Sequence, residues 1–177
     1  MAQLDQATMQ GYVATGDAAP NTAVKGQALE DLICYAFGEV PGISITMRNA
    51  VNAFHNEEID VALWNEQVAD GFPFLSNIVL IECKNWSSAV GSAEVNWFDT
   101  KLRNRGLDFG ILVCANGITG DQQQLTAAHD TVSKALMEKR RLVVITVAEL
   151  LAMTDTNDLT NLIKQKMCKL AVSGTID

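Results

Sequence analysis

The chain has 177 residues, nearly half of them apolar, and a net charge of −8, which fits one folded domain with a substantial core and excludes a disordered chain. Its longest apolar stretches, "NIVLI", "FGILVCA" and "LVVITVAELLAM", are too short to span a bilayer, and "MAQLDQATMQGY" lacks both the basic start and the apolar core of a signal peptide, so a cytoplasmic location is expected. The acidic balance argues against indiscriminate nucleic-acid binding, although it is uneven: residues 1–99 hold 3 basic and 13 acidic side chains, residues 100–177 hold 10 basic and 8 acidic.

In chain order, residues 1–20 carry little pattern and read as a tail or short docking segment. "NTAVKGQALEDLICYAF" (21–37) places Val24, Ala28, Leu32 and Tyr35 on one stripe with Leu29 and Ile33 beside it, an amphipathic helix stopped by Gly38 and Pro41. "ISITM" (43–47) and "EIDVALW" (58–64) alternate as strands do. A loop around "DGFP" leads to a third strand, "NIVLIEC" (77–83). Gly91 and Ser92 open a helix that ends near Arg105 and Gly106, with Ser92 as its expected N-cap. "FGILVCA" (109–115) reads as a strand buried on both faces. Asp121 and Gln124 have capping-box spacing for a helix to about Lys139. "RLVVITV" (141–147) is another buried strand, and Thr146 with Glu149 caps a short helix. A last helix, about 157–170, turns Leu159, Leu162, Ile163, Met167 and Leu170 inward. Three early strands on short loops imply an antiparallel meander, and later strands reached through helices lie parallel. The order α-βββ-α-β-α-β predicts an α/β fold, a mixed sheet flanked by helices on both faces.

The third strand ends in "IECKNW". Residues i and i+2 of a strand share a face, so Glu82 and Lys84 project together while Cys83 points away. Pairing 58–64 with 77–84 as a hairpin sets Asp60 beside Glu82, about 5 Å away across the ladder. Two carboxylates that close repel unless a proton or cation lies between them. Lys84 supplies one positive charge; a hard divalent ion such as Mg²⁺ satisfies the oxygens better and leaves positions for water and phosphate. The plain alternative is a structural ion pair at a strand end.

"KGQALEDL", "EID", "VLIECKNW", "VGSAEVNWFDTKL" and "GILVCANGIT", spread over 24–147, together resemble the PD-(D/E)xK, or restriction-endonuclease-like, nuclease superfamily, most of all its Mrr-type and nuclease-related-domain branches. The proline of the motif name is replaced here by Ile59. The resemblance implies a single nuclease domain over 21–177, with core 24–147 and C-terminal helices 147–170. It implies Asp60, Glu82 and Lys84 as catalytic residues and Mg²⁺ or Mn²⁺ as cofactor. The ion would be held by Asp60, Glu82 and the Cys83 carbonyl, with Glu30 as a further supporting carboxylate. It implies DNA as substrate and restriction of foreign DNA as the setting. No sequence-reading domain is visible, so a homodimer or a partner protein that supplies the target is expected. A nuclease fold that only binds or assembles, and a structure-selective nuclease for junctions or repair, are the alternatives.

Other residues divide between chemistry and plain structure. Lys101, Arg103 and Arg105 end the helix that flanks the cleft, where they either contact phosphate or form a solvated face. Asn85 either orients a phosphate or closes the strand. Trp86 is placed to stack on a base, whereas Trp97, near Phe98 and Leu102, reads as core. Glu58 is assigned to solvent. Lys139, Arg140 and Arg141 suit a helix C-terminus, and "ANGITG" (115–120) reads as a connection near the cleft rim. His55 and His129 read as surface or loop-end imidazoles, and four scattered cysteines favour neither zinc nor disulfides.

Overall fold

The structure is a computed structural model that describes residues 2–53, 55–121 and 126–175. Its elements are α1 (Gln6–Asp17), α2 (Thr22–Gly38), β1 (Ile43–Val51), β2 (Glu58–Asn65), β3 (Ile78–Lys84), α3 (Ser92–Asn104), β4 (Phe109–Cys114), α4 (Ala128–Met137), β5 (Arg141–Thr146), α5 (Val147–Leu151) and α6 (Thr156–Ser173). The five strands form one sheet in the order β1-β2-β3-β4-β5. The first three pair antiparallel and the last three parallel, the mixed sheet that the sequence predicts.

Strand alternation divides the core in two. Val61, Leu63, Val79, Ile81, Ile111, Val113, Val143 and Ile145 face α2 and the helices near it, packing on Leu29, Leu32, Ile33 and Phe37. Leu80, Leu112, Leu142 and Val144 face the other way, against Val95, Phe98 and Leu102 of α3 and Val132 of α4. Burial on both faces explains why β3 to β5 are apolar throughout. Each such side chain, fully buried, contributes about 1.5–3 kcal/mol. Gly110 allows α3 to lie close on β4: a Cβ there would stand 2.6 Å from Leu102 and 2.8 Å from Phe98. An alanine at 110 would push α3 outward.

Several elements differ from the sequence reading. Residues 1–20, expected as a tail or docking segment, contain α1, which is capped by Asp5 and carries Met9 into the core. Its weak pattern follows from packing through few large side chains, Leu4 and Met9 with Tyr12 and Val13 at the margin. β1 runs to Val51 rather than residue 47, with an irregularity between Ile45 and Met47 and a positive φ at Asn49 that interrupt its alternation. The N-cap of α3 is Gly91, with no side-chain capping bond, so Ser92 is already helical. Helix α4 starts at Ala128 rather than Asp121; the other half of the expected capping box, Gln124, lies outside the described residues. The Thr146–Glu149 capping box is formed.

At the far end of the β2–β3 hairpin, buried Asn65 is a brace. Its Nδ2 donates to the carbonyls of Phe72, Leu75 and Ser76 at 2.9, 3.2 and 3.2 Å. Its backbone N–H donates to the Asn77 carbonyl, and the Asn77 side chain donates back to the Asn65 carbonyl. This one amide ties three carbonyls of the loop together; Phe72 and Leu75 accept a second bond, from the Leu75 N–H and the Gln67 side chain.

Candidate active site

The β2–β3 ladder runs in register from Trp64↔Ile78 to Val61↔Ile81, and one further step sets Asp60 opposite Glu82. There the side chain of Asp60 takes over the ladder's role: its Oδ2 accepts from the Cys83 backbone N–H at 2.6 Å. In a strand a residue's N–H and C=O face the same neighbour, so the Cys83 carbonyl looks toward Asp60 as well.

Glu82 lies on the α3 face and is 2% exposed. Its two oxygens carry two ammonium groups: Lys84 Nζ is 2.7 Å from Oε1 and Lys101 Nζ is 2.7 Å from Oε2. The four groups, Asp60, Glu82, Lys84 and Lys101, balance in formal charge but not in position. Burial, and then the neighbouring Glu82 carboxylate, push the Asp60 pKa up to about 6, against the lowering effect of the Cys83 N–H and the two lysines. For Lys84, burial works against the ammonium, but Glu82 and then Asp60 outweigh it and hold its pKa above the ordinary lysine value. That direction favours the ammonium form of Lys84 in this arrangement.

A divalent ion suits this donor set. Two carboxylates and a carbonyl are hard oxygen ligands, and Asp60 is a half-buried carboxylate whose charge is disfavoured first by desolvation and then by Glu82, an imbalance that a cation relieves. Among the described residues, no group of three or more His, Cys, Asp and Glu forms a metal cage. The oxygens present would suit a hard divalent ion. Glu30 is engaged elsewhere: its Oε2 accepts from Asn49 at 3.0 Å and from Arg48 at 3.4 Å. Its charge is felt by the Cys83 thiol, whose pKa is raised by burial first and then by Asp60, Glu30 and Glu82.

Three residues expected at the phosphates are placed otherwise. Lys101 is not a surface cation: it is 3% exposed, locked onto Glu82. Arg105 pairs with Glu57 at 2.5 Å, and Asn104 donates to the same carboxylate, tying the end of α3 to the turn before β2. Arg103 reaches Asp99 and Glu138 at 3.1 and 3.3 Å while half exposed. Asn85 closes the strand, donating from Nδ2 to the Lys25 carbonyl at 2.8 Å, and Trp86 stands exposed just beyond it. Trp97, expected in the core, is 46% exposed. Glu58 is exposed, as assigned, and in the "ANGITG" turn the Gly117 carbonyl accepts from the Val90 N–H while the Thr119 N–H donates to the Val90 carbonyl. His55 is exposed, whereas His129 is buried at the start of α4, and its Nδ1 has no hydrogen-bond partner among the described residues.

The sequence held signals for two of these. Val95, Phe98 and Leu102 define the buried stripe of α3, and Lys101 lies three residues past Phe98, at the stripe's edge. Trp97 falls about half a turn off it. Arg140, read as a cation serving the helix terminus, is instead buried against Asp99, with Nε to Oδ1 at 2.6 Å and a second nitrogen to Oδ2 at 2.9 Å.

No curated protein sequence matches the chain. A family model described as a restriction endonuclease, of the Mrr catalytic-domain type, matches residues 22–153, a span that begins with α2, contains the whole sheet and includes Asp60, Glu82, Lys84 and Lys101. On that match, which covers about three quarters of its length, the chain belongs to the Mrr-type restriction endonuclease family.

Proposed function

We propose that this member of the restriction endonuclease family is a divalent-cation-dependent endonuclease that hydrolyses DNA phosphodiester bonds, serving restriction or defence against foreign DNA. The observation that carries the reading is the meeting of Asp60, Glu82 and Lys84 at the end of β3, with the charge of one carboxylate disfavoured by desolvation and by the other. In this reading Asp60, Glu82 and the Cys83 carbonyl hold Mg²⁺ or Mn²⁺. When bound, such an ion supplies Lewis acidity toward the phosphodiester. Lys84, held protonated, donates to a phosphoryl oxygen or to the attacking water, stabilising negative charge as it grows. Lys101 keeps Glu82 in one rotamer by occupying its inner oxygen, leaving the outer one, now on Lys84, to the site. A net charge of −8 supports a partner protein or a homodimer that brings the DNA to the site, because cutting both strands of a duplex calls for two such centres.

The test is nicking of supercoiled plasmid in Mg²⁺ or Mn²⁺. Wild-type protein nicks, and Lys84→Ala and Asp60→Ala do not. Mg²⁺ also raises the melting temperature of wild-type protein and leaves that of Asp60→Ala unmoved. A protein that cuts neither plasmid, branched DNA nor RNA in either metal is a binding or assembly module with a nuclease fold.

A further inference from the structure

Two of the three tryptophans, Trp86 at 42% and Trp97 at 46% exposure, line one cleft of about 250 Å³ together with Lys84, Ala93 and Glu94. Trp86 follows Lys84 by two residues, past the end of β3. Trp97 comes from the side of α3 away from its buried stripe. Leaving one large aromatic in water is ordinary. Two of them sharing a cleft with the lysine of the candidate site are better explained by a ligand with a flat face.

We propose that Trp86 and Trp97 form a nucleobase-binding cleft, so that the substrate is a DNA strand with an unpaired base beside the bond to be cut. This deepens the nuclease reading and rests on it. Bases stack on indole rings with little regard to sequence, and a base inside a duplex has both faces covered by its neighbours, so only a single-stranded or locally opened strand can fill the cleft. The charges orient it. Glu94, an acceptor-only carboxylate on the cleft wall, repels phosphate and accepts from base N–H groups, while Lys84 attracts the phosphate. A strand thus enters with its base toward Glu94 and its backbone toward Lys84 and Glu82. Guanine, which offers N1–H and N2–H donors on one edge, suits Glu94 best. The third tryptophan, Trp64, lines a different cleft near the other end of the β2–β3 ladder, with its indole N–H bonded to Glu66 at 2.8 Å, and it serves as an internal control.

The experiment titrates the full chain, in Ca²⁺ in place of Mg²⁺, with a guanine-containing single-stranded 12-mer and with the blunt duplex of the same sequence, reading tryptophan fluorescence. The single strand quenches and binds at least tenfold tighter than the duplex. Trp64→Phe keeps the quench. Trp86→Leu and Trp97→Leu each weaken binding by about tenfold, and Trp97→Tyr, which retains an aromatic face, restores most of it. Absence of quenching, equal binding of duplex, or full affinity in the double leucine variant overturns the proposal. Plasmid nicking is read separately: nicking without quenching removes the base cleft and leaves the nuclease, whereas quenching without nicking in Mg²⁺ or Mn²⁺ keeps the cleft and removes the chemistry.

Discussion

Asp99 on α3 and Asp60 on β2 are both carboxylates withdrawn from water, and their surroundings are opposite. Asp99 is 3% exposed and gripped by Arg140 through both oxygens, with Arg103 beside it. Asp60 has one backbone N–H and, across the hairpin, another carboxylate; its nearest cations are both committed to Glu82. The first is a finished structural joint between α3 and the chain entering β5. The second keeps a carboxylate whose charge is disfavoured by burial and by its neighbour Glu82. The contrast separates an acidic position closed by ion pairs from one that is not, and perturbed titration marks function more often than a closed ion pair does.

The largest effect tests the closed joint. Arg140→Met removes the two-pronged partner of Asp99, leaving only the half-exposed Arg103, and costs about 3 kcal/mol of stability, read by urea unfolding, while nicking per folded molecule is unchanged. Lys84→Ala does the reverse: the melting temperature hardly moves, and the nicking rate falls by about 10²–10³-fold, the usual loss for one donor to developing charge. Lys101→Met lies between, because Glu82 keeps Lys84. It costs about 1–3 kcal/mol for the abandoned oxygen and, by removing one positive charge, tightens Mg²⁺ binding as measured by calorimetry. A substrate-binding role for Lys101 would instead weaken DNA binding and leave Mg²⁺ affinity alone.

The last effect has a sign that no closed ion pair shares. With its folded pKa raised to about 6 from 3.8, Asp60 binds its proton more tightly folded than unfolded. Its contribution is fully present below pH 3.8 and is lost as pH rises through 6. Asp60→Asn, which keeps an acceptor for the Cys83 N–H, therefore stabilises the metal-free protein at pH 7.5, by at most about 3 kcal/mol, and does nothing at pH 3.5. Thermal melts at the two pH values check this; destabilisation at pH 7.5 would place Asp60 with Asp99 as a structural group.

Much of this contrast was legible in the residues. Period-2 alternation and one hairpin were enough to place Asp60 opposite Glu82, and the spacing of Glu82 and Lys84 put them on one face. Less legible were contacts made at long sequence separation. Lys101 and Glu82 are 19 residues apart and Asp99 and Arg140 are 41 apart, and a charged residue at the edge of an apolar stripe looks like a solvated one until the opposing strand is known. Helix α1 leaves no stripe in the sequence because its packing uses few large residues. Trp97 lies in the same helical run as Phe98 and Leu102, and only its angle on the helix separates it from their buried stripe.

The Asn65 brace lies five residues from Asp60, about 17 Å along the strand. A one-residue slip of β2 against β3 would turn Asp60 to the wrong side of the sheet, and that slip is blocked at the loop, where a single amide measures out the connection between the two strands. The site's tolerance is thus set remotely, like the pivot of a pair of calipers whose tips meet elsewhere. An apolar residue at 65 would blunt the chemistry without touching any group that performs it.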